Sequence, residues 1–172
     1  MATVLITGTN KGVGLELVKI YAARGDTVIA TCRDPESASA LGEVSGAVEV
    51  LGVSVGDDAS VASLAKALEG RVVDVLINNA GTSGPARDQQ TTFAMDFEGW
   101  ADAFNINSMA PVRVMQALLP NLRLSSAAKV MTVTSQMGAL SLDMPAAHAY
   151  CCLLYTSPSP RDATLSRMPS SA

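Results

Sequence analysis

From Thr3 to about Lys129, short β-branched and apolar runs alternate with longer stretches in which apolar side chains recur every three or four residues. The short runs are Val4–Ile6, Thr27–Ala30, Val48–Leu51, Val72–Ile77 and Val130–Thr134, each bounded by Gly, Asp or Asn. Continuous apolar runs of this length suit strands buried on both faces. Between them, Gly12–Arg24, Pro35–Leu41, Ala59–Gly70 and Asp96–Leu122 read as helices. In the last, Phe97, Trp100, Phe104, Met115, Leu118, Leu119 and Leu122 repeat at helical period, which predicts one amphipathic helix burying that face. Strand and helix taken in turn predict βαβ units and an α/β fold with a doubly wound parallel sheet.

The pattern stops near Tyr150. From Cys152 onward there is no periodicity, and prolines stand at 158, 160 and 169. Cys152–Asp162 matches one reading frame of a transposase-type sequencing-library adapter. In the same frame Ser166–Ala172 matches the adapter's downstream segment, and Ala163–Leu165 fills the room of an index. Residues 1–151 are therefore expected to be a C-terminally truncated domain and residues 152–172 a non-native, disordered tail, with Cys151 at the junction. A natural flexible C-terminus is the competing reading.

Composition narrows the class. A chain of 172 residues with 48% hydrophobic and 16% charged residues suits one packed domain. Twelve basic and sixteen acidic residues, without a run of like charge, offer no footprint for nucleic acid or an anionic membrane. The first residues lack the basic flank and apolar stretch of a signal peptide, and no window is apolar enough for a membrane span, so a cytoplasmic protein is expected. Cys32, Cys151 and Cys152 have neither a disulfide framework nor metal-ligand spacing, and the single histidine argues against zinc.

The first run leads into Thr7-Gly8-Thr9-Asn10-Lys11-Gly12-Val13-Gly14, which opens the first helix. A strand, a glycine-rich turn and a helix N-terminus together make a pyrophosphate cradle. Gly8 suits the tight turn, Gly12 a close approach of backbone N–H groups to phosphate, and Gly14 close packing of helix on sheet. No Lys-Ser/Thr pair ends the loop, which argues against a nucleotide hydrolase of the P-loop type. A structural turn without a ligand is the plainer alternative.

Three further blocks follow in order: Asn78-Asn79-Ala80-Gly81, then Asn107, then Ser135 with Tyr150. With the glycine turn they resemble the short-chain dehydrogenase/reductase family over residues 3–150, and the segment Thr31-Cys32-Arg33-Asp34-Pro35-Glu36 looks most like its carbonyl-reductase and C-factor branches. The resemblance implies a Rossmann-like fold and a nicotinamide cofactor held by Thr7, Gly8, Asn10, Lys11, Gly12, Val13, Gly14, Arg33, Asn79, Ala80 and Gly81. Cys32 stands where an acid would accept the ribose hydroxyls, while Arg33 and Lys11 could meet a 2′-phosphate, so NADP is expected over NAD. Asp34, one place late, keeps NAD as the minor reading. Gly52 stands where relatives carry Asp at the adenine pocket; Asp57 and Asp58 are expected to cap and charge the next helix instead.

By the same resemblance Tyr150 is the general acid, Ser135 orients the carbonyl and Asn107 belongs to the proton relay, with Thr134 and Asn105 as the alternative registers. Pro111 has no N–H for the Asn107 carbonyl, which leaves that acceptor free. The family lysine should stand four residues after the tyrosine, where this chain has Leu154. His148 has no acid placed for a triad and reads as a rim residue. The substrate implied is a small-molecule carbonyl or alcohol, with pairing through the long helix into a homodimer or homotetramer. The chain as written is expected to be inactive and poorly soluble, with exposed sheet edge and core. The rival function is a non-catalytic dinucleotide-binding sensor of the C-factor type.

Overall fold

In the computed structural model, which describes residues 1–138, β1 (Thr3–Thr7) runs up the middle of a parallel five-stranded sheet. Its neighbours are β2 (Thr27–Cys32) on one side and β4 (Val75–Asn78) on the other. β3 (Val48–Gly52) closes one edge and β7 (Lys129–Thr132) the other, giving the order β3-β2-β1-β4-β7. The order reverses between β1 and β4, so the loops leaving those two strands diverge to opposite faces. In an open α/β sheet that divergence is where a ligand crevice forms.

Alternation along each strand builds two cores. Val4, Ile6, Val28, Ala30 and Ile77 face α1 (Gly12–Ala23) and α2 (Ser39–Gly42), where Val18, Ala22 and Leu41 are buried with them. Leu5, Ile29 and Leu76 face the opposite layer, with Val61 and Leu64 of α3 (Asp58–Ala67) and Val114 of α5 (Ala110–Ala117). A side-chain period of two thus covers both faces of one sheet. The expected doubly wound Rossmann-like sheet is present.

The long helix differs from expectation in two ways. It is divided into α4 (Phe97–Phe104), a π-helical turn Asn105–Met109, α5, and α6 (Leu119–Arg123) after a break at Leu118. Pro111 cannot donate to the Asn107 carbonyl, and at this turn the ladder widens to an Ala110-to-Asn105 bond, five residues apart. Pro120 lies in the first turn of α6, where a missing N–H is harmless. The buried face also differs. Ala103, Ala110, Val114, Leu118 and Leu122 face the sheet, while Phe97 is 71% exposed and Phe104 43%. Leu118 and Leu122 are buried as expected and Met115 packs against the core, whereas the inner positions before them are Ala103, Ala110 and Val114, with Phe97 and Phe104 on the outside.

The other boundaries move by a few residues. Pro35–Leu41 shrinks to α2, because Asp34 Oδ1 accepts the N–H groups of Glu36 and Ser37 in a turn that keeps the chain non-helical. Val72 and Val73 precede β4, the Val73 N–H being taken by the Asn121 carbonyl. Within the predicted loop Thr82–Thr92, a 3-10 turn Arg87–Gln89 leads into β5 (Gln90–Thr91), which pairs with β6 (Ala94–Met95). Asp57 and Asp58 act as expected, Asp57 Oδ1 capping α3 by accepting the Ala59 N–H.

Candidate functional site

A cleft of about 810 Å³ opens along the carboxyl ends of β1 to β4. Its walls are the turn Gly8–Gly14, the end of β2 at Cys32 and Arg33, the loop Val53–Asp57 after β3, and Asn79–Ser83 after β4. Asp102, Asn105 and Ile106 close it from the helix. Its volume lies within the range of roughly 300–1,000 Å³ usual for small-molecule and cofactor sites.

The glycine turn is shaped by contacts that tolerate no side chain. Gly8 has φ +70°, and a Cβ there would stand 2.7 Å from the Ala80 Cα. At Gly14 a Cβ would stand 2.2 Å from the Gly8 carbonyl oxygen and 2.5 Å from Asn79 Nδ2. Around Gly12, by contrast, a Cβ would find nothing within 4 Å, so this glycine borders open cleft. α1 begins here, with Lys11 as its N-cap and no capping bond from the Lys11 side chain to the first-turn N–H groups. Unpaired donors and the positive end of the helix dipole thus face the cavity.

Thr7 stands apart from the other turn residues. It is buried to 1% exposure and does not line the cleft; its Oγ1 accepts the N–H groups of Asn79 and Ala80, both at 3.0 Å. Its side chain stands behind the cleft wall, as a brace between β1 and the loop after β4. Asn79 returns the bond, donating Nδ2 to the carbonyls of Thr7 and Gly8 at 2.9 Å each. Asn78 lies on the far side of the strand, its amide reaching the Pro111 carbonyl at 3.4 Å. Asn10, Lys11, Gly12, Val13, Gly14, Arg33, Asn79, Ala80 and Gly81 do line the cleft, together with Gly8.

Charge around the cleft is uneven. Lys11 and Arg33 line it, and neither is in an ion pair among the described residues. Asp34 does not line it and is committed to its own turn. Burial raises the Cys32 thiol above its ordinary pKa, outweighing a backbone hydrogen bond at Asp34, so the position where an acid was sought carries a neutral group. Of the acids on the walls, Asp57 is held by the α3 cap and Asp102 lies on an exposed turn of α4.

The two asparagines of the π turn part company. Asn107 does not line the cleft; its side chain pairs with the backbone of Thr82, accepting from N–H at 2.9 Å and donating to the carbonyl at 2.8 Å. Asn105 does line it, and reaches the other way, donating to the Gly56 carbonyl at 2.8 Å. Ser135 follows β7, half-buried, and its Oγ accepts the Met137 N–H at 3.2 Å. It is not among the cleft-lining residues, and Tyr150, His148 and Leu154 lie outside the described residues. Sequence reasoning looked for the adenine pocket just after the third strand, where the Val53–Asp57 wall stands, but did not name Asp102. It also did not name Ile106.

Comparison with known proteins agrees with this geometry. The family model for short chain dehydrogenase matches residues 2–152. A short chain dehydrogenase, gsfK of Penicillium aethiopicum, is 36% identical over 151 residues, covering 81% of this chain and 59% of that protein. The human 17-beta-hydroxysteroid dehydrogenase type 1 is 35% identical over 161 residues, covering 86% of this chain and 46% of that one. The chain therefore spans about half the length of such relatives. Among solved structures, NADPH-bound carbonyl reductase from chicken fatty liver superimposes with TM-score 0.79 at 28% identity, over 90% of this chain and 69% of that one. The RhlG/NADP active-site complex of Pseudomonas aeruginosa gives 0.80 at 27%, over 90% and 62%. Glycine turn, asparagine brace, parallel sheet and family match coincide on the same residues, and the chain belongs to the short-chain dehydrogenase family.

Proposed function

We propose that the chain is the dinucleotide-binding part of an NADPH-dependent oxidoreductase acting on a small-molecule carbonyl or alcohol. The observation that carries this reading is the joining, on one cleft, of an uncapped helix N-terminus with two cations free of ion pairs among the described residues, Lys11 and Arg33. Phosphate groups satisfy all three at once. The residues fit the cofactor. Gly12, Val13 and Gly14 would take the pyrophosphate, Arg33 and Lys11 the 2′-phosphate, and Asn79, Ala80 and Gly81 the nicotinamide end. Asp34, the acid nearest the end of β2, is engaged in its own turn and does not line the cleft. Two neighbours in structure carry NADP or NADPH, which supports the same choice.

When bound, the cofactor supplies the hydride. Tyr150 supplies the proton to the developing alkoxide, Ser135 orients the carbonyl by a hydrogen bond, and Asn107 belongs to the relay behind the tyrosine. An ordinary tyrosine, with pKa about 10, gives and retakes a proton slowly at neutral pH without a nearby cation. Leu154 supplies none. The chain with its residue 152–172 tail therefore binds without turnover, and the same feature favours the second reading, a dinucleotide sensor. A cytoplasmic location accords with this function. The exposed stripe Phe97, Phe104, Met109 and Val112 suits pairing with a second copy.

Calorimetric titration of NADPH and NADH into the full chain tests the proposal. NADPH is expected to bind at least about tenfold tighter, as a charge-assisted phosphate contact requires. Absence of binding by either nucleotide sinks it. A chain continuing past Tyr150 with lysine at 154 that binds NADPH but reduces no aldehyde, ketone or quinone decides for the sensor.

A further inference from the structure

The cleft wall Val53–Asp57 has no secondary structure of its own beyond the cap it gives α3, yet it is tied to the helix layer at several points. Arg113 of α5 is the centre of these ties. Its Nη1 donates to the Val55 carbonyl at 3.1 Å, its Nη2 to Asn105 Oδ1 at 2.8 Å, and its Nε to the Asp58 carboxylate. Asn105 passes the connection on, its Nδ2 donating to the Gly56 carbonyl at 2.8 Å. The guanidinium side chain is only 17% exposed, so the fork acts in a partly desolvated setting where such bonds are stronger. A Cβ on Gly56 would come within 3.0 Å of Asn105 Nδ2, so the loop and the amide are in close fit.

The spacing of the two asparagines divides their contacts. Residues two apart on a helix point in nearly opposite directions. Asn105 and Asn107 accordingly grip opposite walls, Gly56 after β3 and Thr82 after β4.

We infer that Arg113 and Asn105 are positioning residues for the adenosine half of the cofactor, acting through the main chain of Val55 and Gly56. This rests on the dinucleotide reading above. Neither side chain is required to touch the nucleotide. The pair fixes where the loop stands relative to the glycine turn, and the effect is confined to one end of the cleft.

The probes are 2′,5′-ADP for the adenosine half and reduced nicotinamide mononucleotide for the other, each titrated into the full chain and into Asn105→Leu, Arg113→Lys and Arg113→Ala. Leucine keeps the volume and favours the helix while removing both amide bonds. Lysine keeps the charge facing Asp58 but cannot form the fork. Asn105→Leu and both Arg113 variants are expected to bind 2′,5′-ADP about tenfold more weakly, the worth of a lost charge-assisted contact, with mononucleotide affinity changed less than about twofold. Equal losses for both probes, or none for either, overturn the inference. Should Arg113→Ala fail to fold, Arg113→Lys and Asn105→Leu decide it alone. If the unaltered chain binds neither probe, the dinucleotide reading itself fails.

Discussion

Thr7 and Asn79 hydrogen-bond each other's backbone across adjacent strands: Thr7 Oγ1 accepts the Asn79 N–H at 3.0 Å, and Asn79 Nδ2 donates to the Thr7 carbonyl at 2.9 Å. The same hydroxyl accepts from Ala80 and the same amide donates to Gly8, so the loops on both sides of the switch point move as one body. Thr7→Val keeps shape and removes the acceptor from two N–H groups. At about 1–3 kcal/mol for each unsatisfied donor, the loss is about 2–6 kcal/mol by urea denaturation. Thr7→Ser keeps the acceptor and costs about 1 kcal/mol, one methyl's burial. A valine variant as stable as the serine one would show that the hydroxyl braces nothing.

Two glycines of the turn should separate folding from binding. Gly14→Ala forces a methyl against the Gly8 carbonyl and the Asn79 amide, at 2.2 and 2.5 Å, with backbone on one side that cannot yield. It is expected to destabilise by about 3 kcal/mol, the upper range for overpacking. Gly12→Ala meets no atom, and its φ of +59° costs only about 1 kcal/mol. Its methyl stands in the cleft, so NADPH affinity should fall further than stability does. Thermal melts and titrations of the pair check this; Gly12→Ala binding as well as the unaltered chain would remove the phosphate from that end.

The sheet and the glycine turn were legible because they depend on local signals: β-branched runs, and glycines at a strand-to-helix junction. The inner face of the long helix was legible only in its second half, at Leu118 and Leu122. Phe97 and Phe104 have the right period but lie outward, and the other buried positions are Ala103, Ala110 and Val114, which a search for large apolar residues passes over. Pro111 signalled a disturbed turn correctly, while its outcome, a π turn sending Asn105 and Asn107 to opposite walls, depends on loops distant in sequence. Thr7 entered the expected site as the first residue of the Thr-Gly-x-x-x-Gly-x-Gly motif, and its side-chain direction is visible only with β4 alongside.

Arg33 offers the test of cofactor choice. It is exposed at the cleft edge without an ion-pair partner among the described residues, so its removal leaves the fold intact. Arg33→Ala is expected to weaken NADPH binding about tenfold or more and NADH binding by less than about threefold, because only the former carries the 2′-phosphate. The NADPH loss should shrink in high salt, as an exposed charge contact must. An equal effect on both nucleotides would place Arg33 away from the phosphate.

Acid should loosen the start of β1 through Asp74. The Ser125 hydroxyl donates to Oδ1 at 2.6 Å and the Thr3 N–H to Oδ2 at 2.8 Å, and these bonds, the hydroxyl first, hold the carboxyl below its ordinary value of 3.8. A carboxylate with a lowered folded pKa contributes stability that is complete above the unfolded value and disappears as pH falls through the folded one. The urea midpoint should therefore stay level from neutral pH to about pH 5 and drop below about pH 4. Ser125→Ala removes the larger cause, so this variant should be less stable at pH 7 and lose less on acidification. Asp74→Asn, which cannot ionise, should remove this part of the pH dependence altogether. Parallel pH profiles for all three proteins would place the acid-sensitive group elsewhere, with Glu49 beside Arg71 as the next to test.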